Sequence, residues 1–278
     1  MRADLHCHTN ASDGLLDPIA LCDRAAQRGV ELLAITDHDT VAGVQAARDY
    51  MRSQLLPAFQ LLVGIEYSSV WAHIGVHIVG LGIDDSHTAT IEACRFYGKA
   101  RRERAEMIGT RLTKLGMPGA TEGALALAGS AQIGRPHFAR YLLAQGHVRS
   151  EDEAFTRYLG AGKPGDIKAL WPPMDEVVSW IRAAGGVPVL AHPIKYRQTG
   201  ARLRRLVAEF AACGGQAVEV VVGRQVADES RFVGQLCQQN GLAASQGSDF
   251  HGPSPWCELG DIHALPAGST PVWQRWVS

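Results

Sequence analysis

Six histidines and three carboxylates, spread from His6 to His251, form one metal-binding pattern that constrains this chain more than any other feature. They are His6, His8 and Asp13, then His38, Glu66 and His77, and finally His192, Asp249 and His251. Imidazole and carboxylate are the ligands of borderline and hard divalent ions. Most of these residues stand where a strand ends and a loop begins, the edge on which α/β folds build active sites. One ion takes about four to six ligands, so nine imply a cluster of two or three.

Local spacing supports the pattern. In Asp4-Leu5-His6-Cys7-His8 the two histidines are two apart on a strand and point the same way, while Cys7 points to the other face. Asp249 and His251 repeat this arrangement, with Phe250 facing away. His38 lies just beyond the apolar strand Glu31–Thr36. Glu66 follows Gly64, whose missing side chain allows close approach, and its two oxygens can bridge two ions. Asp37 and Asp39 could equally cap the helix that starts near Val41.

The pattern of elements predicts the fold class. Strand-like runs at 3–6, 31–36, 60–63 and 74–81 alternate with helices at 18–28 and 41–53. After residue 170 the alternation resumes, with helices near 174–184, 203–212 and 228–240 and strands at 187–191, 217–222 and 242–245. This predicts a barrel of mainly parallel strands. Residues 91–169 read as largely helical. The expected division is therefore a barrel from 1–90 and 170–278, with a helical insertion at 91–169 covering the active site. The last 27 residues, rich in Pro and Trp, read as a closing tail.

Composition excludes several classes. A formal net charge of −1 argues against a generally nucleic-acid-coating surface. No apolar run reaches the roughly 18 residues of a membrane span, and Asp4, His6 and His8 interrupt any signal-peptide core. Six dispersed cysteines without a Cys-x-x-Cys pair fit free thiols in a reducing compartment. The expectation is a cytoplasmic protein with no membrane and no obligate protein partner.

The ordered motifs Asp4-Leu5-His6-Cys7-His8, Ser12-Asp13-Gly14, Ile35-Thr36-Asp37-His38-Asp39, Gly64-Ile65-Glu66, Ala191-His192-Pro193 and Ser248-Asp249-Phe250-His251 resemble those of the PHP (polymerase and histidinol phosphatase) superfamily. The resemblance implies a distorted (β/α)7 barrel with a trinuclear site of manganese, iron or zinc, manganese being the expected ion. By that resemblance His6, His8, Glu66 and Asp249 hold one ion. Glu66, His77 and His192 hold the second, and Asp13, His38 and His251 the third.

Clustered divalent ions suit phosphoester hydrolysis, because they generate hydroxide at neutral pH and neutralise charge on phosphoryl oxygens. The expected nucleophile is a metal-bridging hydroxide positioned by Glu66, Asp249 and His192. The insertion should select the substrate. From Glu92 to Lys114 seven basic residues face three acids, a local balance of +4. Tyr97, Arg101, Arg104, Ile108, Leu112 and Leu115 share one helical stripe. Its two arginines either pack their stems and reach water or grip a second phosphate. Gly134-Arg135-Pro136-His137 reads as an anion-binding turn, as a helix start, or as both. Lys163 could add charge to the cleft or be a solvated loop lysine, the reading favoured here.

The segments Arg101-Arg102-Glu103-Arg104-Ala105, Gly134-Arg135-Pro136-His137-Phe138-Ala139 and Gly162-Lys163-Pro164-Gly165 narrow the resemblance. They are similar to the PHP subgroup of 3',5'-nucleoside bisphosphate phosphatases and the 5'-to-3' exoribonuclease RNase AM. By that analogy Arg101, Arg104, Arg135 and His137 bind substrate phosphate. The implied substrate is a nucleoside 3',5'-bisphosphate, such as adenosine 3',5'-bisphosphate, or the 5' end of short RNA. The competing expectations are a histidinol-phosphate phosphatase and a non-catalytic PHP scaffold, which should have lost ligands.

Overall fold

Apolar strand runs and capped amphipathic helices alternate through most of the chain. The computed structural model describes residues 1–53, 59–168 and 170–277. Strand β1 (Ala3–Asp4) is followed by helix α1 (Pro18–Gln27). Asp17 starts α1 by accepting from the backbone N–H groups of Ile19 and Ala20, each at 2.9 Å, a side-chain N-cap. Gly29, at φ 67°, ends it. Then come β2 (Leu32–Ile35), α2 (Ala42–Ser53), β3 (Gln60–Trp71) and β4 (Ile74–Leu81). After a helical stretch the chain continues through α7 (Met174–Ala183), β5 (Val187–Leu190), α8 (Gly200–Ala212), β6 (Ala217–Val222), α9 (Ala227–Gln239) and β7 (Ala243–Gly247).

The seven strands pair in chain order. The first and last meet where Leu5 N–H donates to Gln246 O and Cys7 pairs with Phe250, so the sheet curls into a barrel. Strands β1–β3 and β5–β7 run parallel, while β4 is antiparallel to both neighbours. The reason is local. Ala72 and His73 both take positive φ (44° and 67°) and turn β3 directly into β4, so no crossover helix is needed. Leu5, Leu32, Ala34, Leu81, Val189 and Ala217 help fill the interior. Helices cover the outside through a second layer that includes Ile78, Val177, Leu206, Phe210 and Val233.

Between β4 and β5 the chain is helical. It forms α3 (Thr88–Lys114), α4 (Ala120–Ala128), α5 (Arg135–Ala144) and α6 (Glu151–Ala154), which runs into a π-turn at Phe155–Leu159. This region has its own apolar core around Ile108, Leu112, Ala124, Phe138, Leu142 and Leu159. Helix α3 joins the two parts. Its Ala93 and Tyr97 pack in the barrel's outer layer, while Ala105, Ile108 and Leu112 pack in the core of the helical stretch. The expected stripe is inward as far as Leu112, but Leu115 is half exposed, because it caps the end of α3. No described helix is long and apolar enough to cross a membrane.

Candidate metal centre

The parallel strands deliver their C-terminal ends to one mouth of the barrel, and the ligand-type residues gather there. Glu66 is the hub and is fully buried. Its Oε2 lies 3.3 Å from His6 Nε2, 3.3 Å from His8 Nε2 and 3.0 Å from His38 Nδ1. Its Oε1 lies 2.8 Å from both His77 Nδ1 and His192 Nε2. Asp249 Oδ1 stands 3.3 Å from His8 Nε2 and 3.6 Å from His6 Nε2. Asp13 reaches His251 Nε2 at 3.4 Å and His38 Nε2 at 3.7 Å. All nine sequence-predicted ligands therefore converge.

Their donor atoms fall into four overlapping groups, each within 4.8 Å: His6, His8 and Asp249; His6, Glu66 and His192; His38, Glu66 and His77; and His8, Asp13, His38 and His251. The electrostatics keep the carboxylates and His8 in ligand form, while at His6, His38 and His251 burial is outweighed by the neighbouring carboxylates, which raise all three. Burial pushes Glu66 up, but His38, His77 and His6 outweigh it and hold its carboxyl well below the usual range. Asp249 is likewise held well below, with Lys195 and His6 overcoming burial. Burial, with His251 nearby, pushes His8 down to about 3 and keeps it neutral.

The residues fit divalent metals on a separate observation. His6 Nε2, both nitrogens of His8, His38 Nδ1, Glu66 Oε2 and His192 Nδ1 are buried without a hydrogen-bond partner. Each such atom costs about 1–3 kcal/mol when left bare. So many in one place are expected where cations accept their lone pairs. The backbone carries strain at the same edge. Asp39, His192 and Asp249 take positive φ of 57°, 28° and 53°, a conformation non-glycine residues hold mainly where surroundings enforce it.

Beside the metal cluster opens a cleft of about 730 Å³, lined by His77 and His192 of the cluster, by Arg104, Arg135, Lys163, Lys168 and Trp171, and by Asp166, which pairs with Lys168 at 2.7 Å. Arg104 Nε donates to Ile167 O at 2.8 Å, and its guanidinium lies 5.1 Å from the Trp171 ring centre. Burial, then the nearby Arg135 and Arg101, push Arg104 down to about 9. That is the cost of burying a guanidinium beside other cations, and an anion would relieve it. Lys163 is an exposed loop residue, as expected, and it also lines this cleft.

The expected phosphate-binding residues also make bonds within the protein; Arg135 donates to Leu159 O at 2.9 Å. Arg101 is buried and bonds Asp39 at 2.7 Å and Ile133 O at 2.9 Å. His137 is buried on the first turn of α5, where its Nδ1 accepts from Gly134 N–H at 3.1 Å. Asp37 and Asp39 do not cap α2 either. Asp37 accepts from Thr9 N–H and Oγ1 and from Ser12 Oγ at 2.6–2.8 Å. Asp39 accepts from Ser68 and Arg101.

The sequence reading missed Lys195 and Tyr196. Lys195 lines the cleft and is ion-paired with Asp249. Tyr196 accepts from His77 N–H and donates to Ala191 O, each at 2.8 Å, tying the ends of β4 and β5. Their one sequence signal is their place three and four residues after His192.

The comparisons agree with this geometry. The PHP domain family model matches residues 4–118. The 5'-3' exoribonuclease Rnm of Escherichia coli (strain K12) is 44% identical over 273 residues, spanning 98% of this chain and 93% of that one. A 3',5'-nucleoside bisphosphate phosphatase of Chromobacterium violaceum is 38% identical, spanning 98% of this chain and 95% of its own length. A sulfate-bound, metal-free structure of an amidohydrolase from Chromobacterium violaceum superimposes with a TM-score of 0.91 at 37% identity, covering 99% of this chain and 95% of that one. With relatives this similar over nearly its whole length, the chain belongs to the PHP domain family.

Proposed function

We propose that this protein is a metal-dependent phosphoesterase that removes the 3'-phosphate from nucleoside 3',5'-bisphosphates, such as adenosine 3',5'-bisphosphate. Water enters and the P–O3' bond breaks, giving a nucleoside 5'-monophosphate and phosphate. The observation that carries the reading is the cleft, which Arg104, Arg135, Lys163 and Lys168 line together with His77 and His192 of the ligand cluster. A substrate with two phosphates can place one at the cluster and the other among the basic residues.

The ligand sets in this reading are His6, His8, Glu66 and Asp249; Glu66, His77 and His192; and Asp13, His38 and His251, for three ions, with manganese first and iron or zinc as alternatives. Bound divalent ions supply Lewis-acid charge to the phosphoryl oxygens and lower the pKa of water. The chain's own residues do the rest. Glu66, Asp249 and His192 order the reacting end, and Lys195, paired with Asp249, adds positive charge at its rim. Arg104 and Arg135 grip the 5'-phosphate, a task suited to guanidinium forks. Arg101 holds Asp39 and so fixes α3, while His137 fixes the first turn of α5.

In this reading residues 1–90 and 170–278 form the catalytic barrel. Residues 91–169 are an insertion that supplies the second-phosphate wall. The 5' end of short RNA offers the same pair of groups, a 5'-phosphate and a phosphate on O3'. Cleaving P–O3' there also releases a nucleoside 5'-monophosphate, so the site serves 5'-to-3' trimming as well. The relatives' activities, exoribonuclease and bisphosphate phosphatase, support this pairing.

Histidinol phosphate suits the cleft less well, since it carries a single phosphate and a cation that the basic wall would repel. A non-catalytic scaffold should have lost ligands, whereas all nine converge.

The test is phosphate release by manganese-loaded protein from adenosine 3',5'-bisphosphate, with histidinol phosphate and a 5'-phosphorylated RNA pentamer alongside. Turnover of the bisphosphate and trimming of the RNA, both weakened in Arg135→Ala, support the reading. Turnover of histidinol phosphate alone would overturn it.

A further inference from the structure

Strand β6 is nearly all valine and alanine, Ala-Val-Glu-Val-Val-Val, and one carboxylate interrupts it. Glu219 is two residues beyond Ala217, which belongs to the barrel's interior core, and so projects to the same side, one layer nearer the metal mouth. The pairing of β6 with β7 shifts register between Glu219 and Val221. Glu219 is only 2% exposed. A buried carboxylate in a hydrophobic strand is costly unless something requires it.

Both its oxygens are used. Oε1 and Oε2 lie 3.1 and 3.2 Å from His6 Nδ1, and Oε2 accepts the backbone N–H of His192 at 2.7 Å. Room is made by Gly247, where a Cβ would come within 2.3 Å of His6 Cβ and 2.8 Å of Glu219 Oε1. A carboxylate accepts, so His6 Nδ1 carries a proton and Nε2 is the nitrogen left to offer an ion. That nitrogen is buried, has no hydrogen-bond partner, and faces Glu66 and Asp249.

We propose that Glu219 is a positioning residue for the metal cluster. It fixes His6 in the Nδ1–H tautomer with Nε2 aimed at the ion, and it holds the positive-φ backbone of His192 in place. One side chain thereby orients two ligands, His6 just beyond β1 and His192 just beyond β5, whose rings stack 5.6 Å apart. A carboxylate behind a ligating imidazole also raises its basicity, and loss of such a partner typically weakens metal binding about 10–100-fold. The inference rests on the metal reading of the site.

The test uses Glu219→Gln, which keeps the size but removes the charge and one of the two acceptor oxygens, and Glu219→Ala. Manganese binding is followed by electron paramagnetic resonance, and thermal unfolding is measured with and without chelator. The expected result is about 10–100-fold weaker binding of part of the manganese in both variants, with Glu219→Gln unfolding near the parent when chelated. Unchanged manganese affinity in Glu219→Gln, or equal losses of Tm with and without metal, makes Glu219 a packing residue and overturns the proposal.

A second measurement needs no variant. In the parent chain loaded with 113Cd and labelled with 15N-histidine, His6 should show a protonated Nδ1 and cadmium on Nε2. Cadmium on Nδ1 would overturn the proposal even if the variants fail to fold. A parent chain that binds no manganese overturns the metal reading itself, and this inference with it.

Discussion

Asp39 and Arg101 form a buried ion pair between the loop after β2 and the middle of α3, with the guanidinium NH2 2.6 Å from Asp39 Oδ2. Arg101 also donates to Ile133 O, just before α5. One guanidinium thus ties the barrel mouth, α3 and the approach to Arg135 together. Breaking such a pair by removing one partner leaves a buried charge uncompensated, which costs about 3–5 kcal/mol. Arg101→Ala should therefore lower Tm by roughly 10 °C. Thermal unfolding of Arg101→Ala, Asp39→Asn and the double variant checks this, and the double variant should lose less than the sum of the singles.

Arg135 tests the second-phosphate wall. Hydrogen bonds to charged groups contribute about 1.5–3 kcal/mol, or roughly 10–150-fold. Arg135→Ala should raise KM for adenosine 3',5'-bisphosphate by about that factor. It should leave adenosine 3'-monophosphate, which has no 5'-phosphate, nearly unaffected. Steady-state kinetics on both substrates separates this grip from general damage to the site.

Gly43 in α2 should resist a change that usually helps helices. Alanine is better than glycine in a helix by about 1 kcal/mol. Here a Cβ would lie 2.2 Å from Asp37 Oδ2 and 2.5 Å from Thr9 Oγ1, pushing apart the network that holds the loop carrying Asp13. Gly43→Ala should destabilise the protein by about 1–3 kcal/mol, read by denaturant unfolding. A gain in stability would show that the network yields easily.

Metal binding should release protons. In the metal-free protein burial pushes His251 down, but Asp13 and Asp249 outweigh it and raise it to about 9. At pH 7 this ring is protonated, and an ion must displace the proton to bind. Affinity for manganese should therefore rise with pH until about 9, by up to tenfold per pH unit for this one group. Calorimetry in buffers of different ionisation enthalpy measures the proton count. Asp13→Asn should reduce the release, because the ring loses the neighbour that raises it.

Much of the site was legible because ligand chemistry is local. His6 and His8 share a strand face by alternation alone, and Glu66 follows a glycine that permits close approach. The barrel rhythm was legible from apolar runs and helix ends such as Gly29. Long-range partners were not. The inward stripe of α3 placed Arg101 correctly on the buried face, yet its partner Asp39 lies 62 residues away, and nothing local distinguishes a cleft arginine from a paired one. The antiparallel β4 was hidden because Ala72-His73 lacks the glycine or asparagine that usually marks so tight a turn. Glu219 was a single acid in a valine strand, and only its contact with His6, 213 residues away, gives it meaning.

The central claim is that the nine converging side chains hold divalent ions that phosphoester hydrolysis requires. The most direct measurement is phosphate release from adenosine 3',5'-bisphosphate by the purified protein, before chelation, after chelation and after manganese is returned, with bound metal quantified in each sample. Turnover should vanish with the metal and return in proportion to manganese bound, with Glu66→Gln failing to recover either. Full turnover from protein shown to contain no metal would contradict it.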